Sequence, residues 1–249
     1  MKMLQEIGLF TMRKLRETRR NPIFLAMGIV VPILYLAFFS PLLKGMHVGD
    51  ANVLNTFVPG MLVLIAFFNG LFAGFGIIDE LRSGIIERFR VTPASRFAIL
   101  MGPVLRDTIA TVIQVTFFIL IALPFGFSPD IRGILLLYPL LILLVTITSS
   151  FGNAIGLVVK SEDKLAPIVQ GINMPILLLS GMLLPLSLGP AWLRTVAHFN
   201  PVYYIVEAAR RLVQGEIANM AVAEAYAVTL LLAVIVVTWA TRVVQKTTS

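Results

Sequence analysis

Three acids and four arginines stand together between Asp79 and Arg96, in the run DELRSGIIERFRVTPASR. Charges of both signs at spacings of three and four pair along a helix, and with Ile85, Ile86 and Phe89 among them they make a mixed apolar and charged surface. A helix of this kind suits docking to another protein, and a solvated loop is the plainer alternative. Catalytic chemistry has fewer candidates. There is no cysteine, which excludes disulfides and thiolate chemistry. His47 and His198 have no companion at metal-ligand or general-base spacing. Ser149-Ser150 lacks a basic partner. No G-x-x-x-x-G-K-[ST] run is present to cradle nucleotide phosphates.

The elements that would carry the charged run follow from composition. Of 249 residues, 58% are hydrophobic and 13% charged, against roughly 25% charged in an ordinary soluble domain. Crossing the hydrocarbon takes about 20 apolar residues per helix. Six runs qualify: Pro22 to Leu43, Val53 to Ile78, Thr108 to Phe125, Ile134 to Val159, Leu165 to Leu184 and Ala221 to Ala240. The charged N-terminus does not read as a removable signal peptide. With both ends in the cytoplasm, Lys2, Arg13, Lys14, Arg16, Arg19, Arg20, Arg82, Arg88, Arg90, Arg96, Lys160, Lys164, Arg242 and Lys246 lie inside, and only Lys44, Arg132, Arg194, Arg210 and Arg211 outside. Basic residues are retained on the cytoplasmic side during insertion, so this orientation is expected, and topology with anionic lipid accounts for the net charge of +7. A nucleic-acid partner is not needed to explain it.

The orientation puts residues 79–96 in the cytoplasm, where Thr92-Pro93 breaks the helix before the third span. Residues 1–21 read as an interfacial helix, with Leu4, Ile7, Phe10 and Leu15 near one side and its basic face toward anionic lipid. The fifth span carries Pro167, Gly171, Pro175 and Gly181, breakers that survive where neighbours or water satisfy the backbone. After it, residues 185–220 are too polar to cross and read as two short helices at the outer face, with Trp192, Tyr203 and Tyr204 at headgroup depth. Gly70-x-x-x-Gly74 and Gly152-x-x-x-Gly156 let helices approach closely, within one subunit or at a dimer seam. Inside the spans polar residues are few, namely Asn69, Gln114, Asn153, Gln170 and Asn173. Arg106 and Asp107 are expected at the inner interface, where arginine can snorkel.

This layout resembles the permease subunit of a type-2 ATP-binding-cassette exporter, of the bacterial drug and antibiotic efflux type. Two stretches carry the likeness: DELRSGIIERFRVTPASR, and SGMLLPLSLGPAWLRTVAHFNPVYYIVEAARRLVQG after the fifth span. The resemblance implies an all-α membrane protein whose residues 1–249 form a single transmembrane domain of six helices. It implies that the 79–96 loop is a coupling helix seated in a separate ATPase. The matching positions are Glu80, Gly84, Glu87 and Pro93, with Arg82, Arg88, Arg90 and Arg96 beside them. It also implies an outer gate built from Pro185, Asn200, Pro201, Tyr203, Tyr204, Glu207 and Arg210, in which Glu207 pairs with Arg210 or Arg211.

The expected function is outward transport of an amphipathic or lipid-like solute, such as a drug, antibiotic, lipid or hydrophobic peptide. No cofactor is expected in this chain; ATP and magnesium would be bound by the partner ATPase. A second permease subunit completes the expected assembly, in the cell inner membrane. The alternative is a gradient-driven transporter or channel, against which stands the lack of a ladder of acids inside the spans.

Overall fold

In a computed structural model the structure describes residues 2–20, 28–38, 53–86, 95–186 and 189–248. All its regular elements are helical, with no strand among the described residues. In chain order they are α1 (Lys2–Arg20), α2 (Gly28–Phe38), α3 (Val53–Leu71), α4 (Ala73–Arg82), α5 (Arg96–Ala122), α6 (Ile131–Val159), α7 (Glu162–Ser180), α8 (Ala191–Ala197), α9 (Pro201–Val213) and α10 (Met220–Thr248).

Among the described residues four segments are long and apolar enough to cross a membrane: Leu54–Arg82, Arg96–Phe125, Ile131–Val159 and Met220–Lys246. The first is α3 and α4 together. They are separated only at Phe72, where the Phe75 amide reaches back three residues to the Phe72 carbonyl instead of four. The described part of α2 is short, and α7 is diluted by Asp163, Lys164, Gln170 and Asn173.

The apolar residues are arranged as a lipid-facing protein arranges them. α3 is the central helix, with Val58, Met61, Leu62, Val63, Ile65 and Ala66 buried on every side. Around it, α5, α6 and α10 turn outward Ile113, Phe117, Leu120, Leu135, Leu230, Leu231 and Val234. So broad an apolar exterior needs hydrocarbon to cover it. Threonine hydroxyls inside the helices bond to their own helix. Thr108, Thr146, Thr148 and Thr229 each donate to the carbonyl four residues back, which satisfies the hydroxyl where no water is present. At the ends, the Asp130 carboxylate caps α6 by accepting from the Gly133 amide at 2.9 Å.

The two glycine pairs meet each other inside one chain. A Cβ at Gly152 would sit 2.8 Å from both the Gly70 and Leu71 carbonyl oxygens, and one at Gly156 would sit 2.5 Å from the Gly74 carbonyl. In the other direction, a Cβ at Gly70 would strike Thr148 and one at Gly74 the Gly152 carbonyl. Backbone therefore lies on backbone where α3 and α4 cross α6. Of the two packings the motifs allow, the structure has the one within a subunit. Two further glycines serve the same end: Gly102 receives Phe10 of α1, and Gly60 receives the Met182 carbonyl.

Large residues at this crossing should be costly, since inserting methylenes into a packed contact costs about 1–3 kcal/mol, and more when the obstacle is backbone. Gly74→Leu and Gly152→Leu are expected to lower the yield of monodisperse protein in detergent severalfold. Gly8→Leu, with nothing within 4 Å of its Cβ, should elute like the native chain. Equal yields from all three would show that the crossing is not close-packed.

Candidate functional site

Two clusters of polar side chains, one at each end of the bundle, are built by residues far apart in sequence. The inner cluster begins with α4, whose last turn carries Glu80 inward. Glu80 is buried and pairs with Arg13 of α1 and, at 3.0 Å, with Lys14. Lys14 also reaches Glu17 at 3.1 Å. Burial lowers the Lys14 ammonium below its usual range, and Glu17 opposes the shift. The helix thus turns Lys14 and Thr11 inward and leaves Leu4 and Leu9 exposed. The sequence expectation put the basic face of α1 toward lipid; Arg16, Arg19 and Arg20 are exposed as that requires, but Lys14 is claimed by Glu80. Phe10 against Gly102 and the Ser95 amide donating to Glu6 at 2.9 Å dock the rest of α1 on α5.

Glu80 therefore faces α1 rather than the protein surface. Arg82, two residues on, is exposed and pairs with Glu162 in the first turn of α7. Gly84 then takes a positive φ of 69°, the left-handed conformation that ends a helix and suits glycine. Ile86, expected on a ridge offered to a partner, is instead buried against Ile77, Leu100, Leu157 and Val244, because those helices leave an apolar hollow below Gly84. Arg96 opens α5 with its Nη1 buried and without a hydrogen-bond partner. Glu87, Arg88, Arg90 and Pro93, and with them Phe89, lie outside the described residues.

Between the ends, Asp107 of α5 stands inside the bundle. It lies roughly 16 Å along α5 from Arg96 at 1.5 Å per residue and is buried. The Ser149 hydroxyl donates to it at 2.6 Å, Asn153 donates to the Ser149 carbonyl at 2.8 Å, and Arg106 pairs with it at 3.1 Å. Asn69 of α3 donates to Thr111 at 3.0 Å and to Gln114. Ser149 has no histidine partner, and among the described residues no group of acids or histidines has metal-binding geometry.

The outer cluster is built on α9, which is buried along Val202, Ile205, Val206, Ala209 and Leu212. Pro201 occupies its first turn and the Asn200 side chain caps it, accepting from the Val202 amide at 3.0 Å. The same side chain donates to the Ile176 carbonyl of α7 at 3.0 Å. Arg210 is buried, and its guanidinium donates to the Thr56 carbonyl at 3.1 Å and the Gly181 carbonyl at 2.5 Å. These carbonyls hold it more closely than Glu207, which is 3.8 Å away; Glu207 is nearer Arg211, at 3.5 Å. Arg211 also meets Glu216 at 3.0 Å. Tyr203 packs edgewise on both Tyr204 and His198, Tyr204 is tilted against His198, and the Tyr204 hydroxyl donates to the His198 carbonyl. Pro185, half-buried, follows Gly181 on the chain from α7.

Sequence reasoning singled out Glu80, Arg82, Asn200 and Arg210 but did not pair them with Arg13, Glu162, Ile176 or Gly181. Only charge at Arg13 and Glu162 hinted at a partner; backbone carbonyls leave no trace in composition.

Breaking a buried ion pair from one side costs about 3–5 kcal/mol. Glu80→Ala should therefore loosen α1, raising amide hydrogen exchange in residues 2–20 by tenfold or more. Glu207→Ala removes a part-exposed carboxylate that stands 3.8 Å from Arg210 and 3.5 Å from the half-exposed Arg211, and should change stability by less than about 1 kcal/mol, whereas Arg210→Ala should lower the melting temperature clearly. Indistinguishable melting of the two would contradict this account of the outer cluster.

Known proteins share this layout. A profile of the family described as ABC-2 type transporter matches residues 5–213. The chain is 29% identical over 215 residues to a protein of Cyanophora paradoxa named as a transport permease, ycf38, covering 84% of this chain and 74% of that one. It is 22% identical over 207 residues to the daunorubicin resistance ABC transporter permease protein DrrB1 of Streptomyces coeruleorubidus, covering 82% and 73%.

Proposed function

The chain belongs to the ABC-2 type transporter family, and from that premise we propose that it is the six-span permease subunit of an ATP-driven exporter. It moves an amphipathic or lipid-like solute out of the cytoplasm, with ATP and magnesium bound by a separate ATPase chain. A second permease subunit completes the path, and both termini lie in the cytoplasm.

One observation supports a mechanism best: α7 is held at both ends by charged or polar side chains and packed loosely between them. At the inner end Glu162 meets Arg82, at the edge of the 79–96 loop. At the outer end the Ile176 and Gly181 carbonyls receive Asn200 and Arg210. Between them Pro167, Ile168, Gln170, Gly171, Met174 and Pro175 are exposed. A helix so held can carry displacement from end to end without dragging a large core with it. Closure of the ATPase pushes on the 79–96 loop; Arg82 passes the motion to α7, and Asn200 and Arg210 pass it to α9 and the outer gate. Glu80 ties α1 to the same unit, a positioning role and not a docking one. Docking falls to the loop beyond Gly84, where Glu87, Arg88, Arg90 and Pro93 are placed by the family resemblance. The exposed face of α7, with Gln170 among proline, glycine and apolar side chains, gives a second subunit something to cover.

A gradient-driven transporter is the second reading. Its one supporting feature is the buried Asp107, for an intramembrane carboxylate is by default a functional group.

Tagged protein extracted gently from its native membrane should bring with it a chain carrying a phosphate loop, and Glu87→Arg should lose that chain while inserting normally. Arg82→Glu should keep the ATPase but lose transport, with Glu162→Arg restoring part of it. A stable complex without any ATPase, and flux that follows an ion gradient, would instead establish the second reading.

A further inference from the structure

Two cavities adjoin on the side of the bundle formed by α1, α2, α3, α4 and α5. The apolar one, about 290 Å³, is lined by Val31, Pro32, Leu64, Ile65 and Phe68, with Gly28 at one side. The polar one, about 230 Å³, is lined by Lys14, Glu17, Asp79, Arg106 and Asp107. Asn69 and Phe72 line both, so an oily chamber and a charged one lie side by side against the same two side chains. Phe68 and Phe72 stack with their rings 5.6 Å apart, and Phe72 and Phe75 follow at 5.9 Å, giving an aromatic track from the first chamber to the second.

The charged end has an acid left over. Lys14 is shared by Glu17 and Glu80, Arg13 is committed to Glu80, and Arg106 is matched by Asp107. Asp79 is exposed and has no ion-pair partner among the described residues. Aromatic faces attract cations, so the track and the spare carboxylate favour the same sign of ligand. The Arg106 Nε is buried without a hydrogen-bond partner, and an acceptor oxygen on a ligand would satisfy it.

We infer that this paired cavity binds a cationic aromatic amphiphile, its ring system along Phe68, Phe72 and Phe75, its positive group near Asp79 and an acceptor oxygen toward Arg106. The inference rests on the exporter reading for its purpose, as the place where a solute is taken up from the inner half of the membrane, but binding itself does not depend on an ATPase. Pre-formed apolar space with a few convergent polar groups is the usual form of a small-molecule site.

The test uses the full chain in phosphatidylcholine nanodiscs and two fluorescent probes of opposite charge, rhodamine 6G and 8-anilinonaphthalene-1-sulfonate, titrated against protein-free discs. Saturable binding of rhodamine 6G above the empty-disc background is expected, with Asp79→Asn weakening it about fivefold and Phe72→Ala about tenfold. Both variants are scored only after eluting as the native chain does. No saturable rhodamine binding, equal affinity in Asp79→Asn, or tighter binding of the sulfonate by the native chain would each overturn the proposal. Probe binding in a chain that brings down no ATPase would leave the site standing and sink the exporter reading; the reverse pattern would sink the site alone.

Discussion

Backbone contact where α3 and α4 cross α6 sets the distance on which the rest of the bundle depends. In a bilayer no hydrophobic force presses apolar helices together, because lipid tails solvate them equally well, so association rests on close packing and internal polar bonds. Gly70, Gly74, Gly152 and Gly156 supply that closeness. Once the helices touch, Ser149 of α6 is near enough to bond Asp107 of α5, and Leu165 at the start of α7 lies against Gly74. A carboxylate in the apolar interior is tolerable only with such partners. The crossing and the buried polar cluster therefore stabilise each other.

Away from this rigid centre the packing loosens by degrees. α10 presents most of its surface to lipid, and α7 presents proline, glycine and Gln170. What ties α7 down is local: an exposed ion pair at one end, and at the other two side chains that donate to carbonyls of its final turns and cap. The carbonyls at a helix end lack partners within it; Arg210 serves that of Gly181, and Asn200 bonds that of Ile176 a little before it. Because Arg210 spans from α9 to both α3 and α7, it also fixes the outer segment to the centre of the bundle. An arginine suits this place because its planar fork of donors can serve two acceptors at once.

The N-terminal helix shows how a local pattern yields to a tertiary partner. Its amphipathic periodicity is plain in the sequence, and on its own would put every basic residue toward headgroups. A buried carboxylate with no cation beside it would be costly, so Lys14 and Arg13 turn to meet Glu80. The same logic accounts for Ile86, which fills a hollow between α4, α5, α6 and α10 in preference to standing on the surface.

Helical class, membrane residence and the positions of the long apolar helices were legible in the sequence, because they follow from runs of apolar residues, and a run survives any rearrangement of its neighbours. The small-residue pairs were legible as contacts for a similar reason: a glycine at a four-residue spacing has few other uses inside an apolar helix. Which surface each contact would meet was not. That Gly74 lies on Gly152, that Glu80 faces Arg13, that Asp107 is buried beside Ser149, and that Arg210 bonds the carbonyls of Thr56 and Gly181 are pairings between distant segments. Composition and periodicity describe one helix at a time, and only the packed chain decides which helix stands opposite.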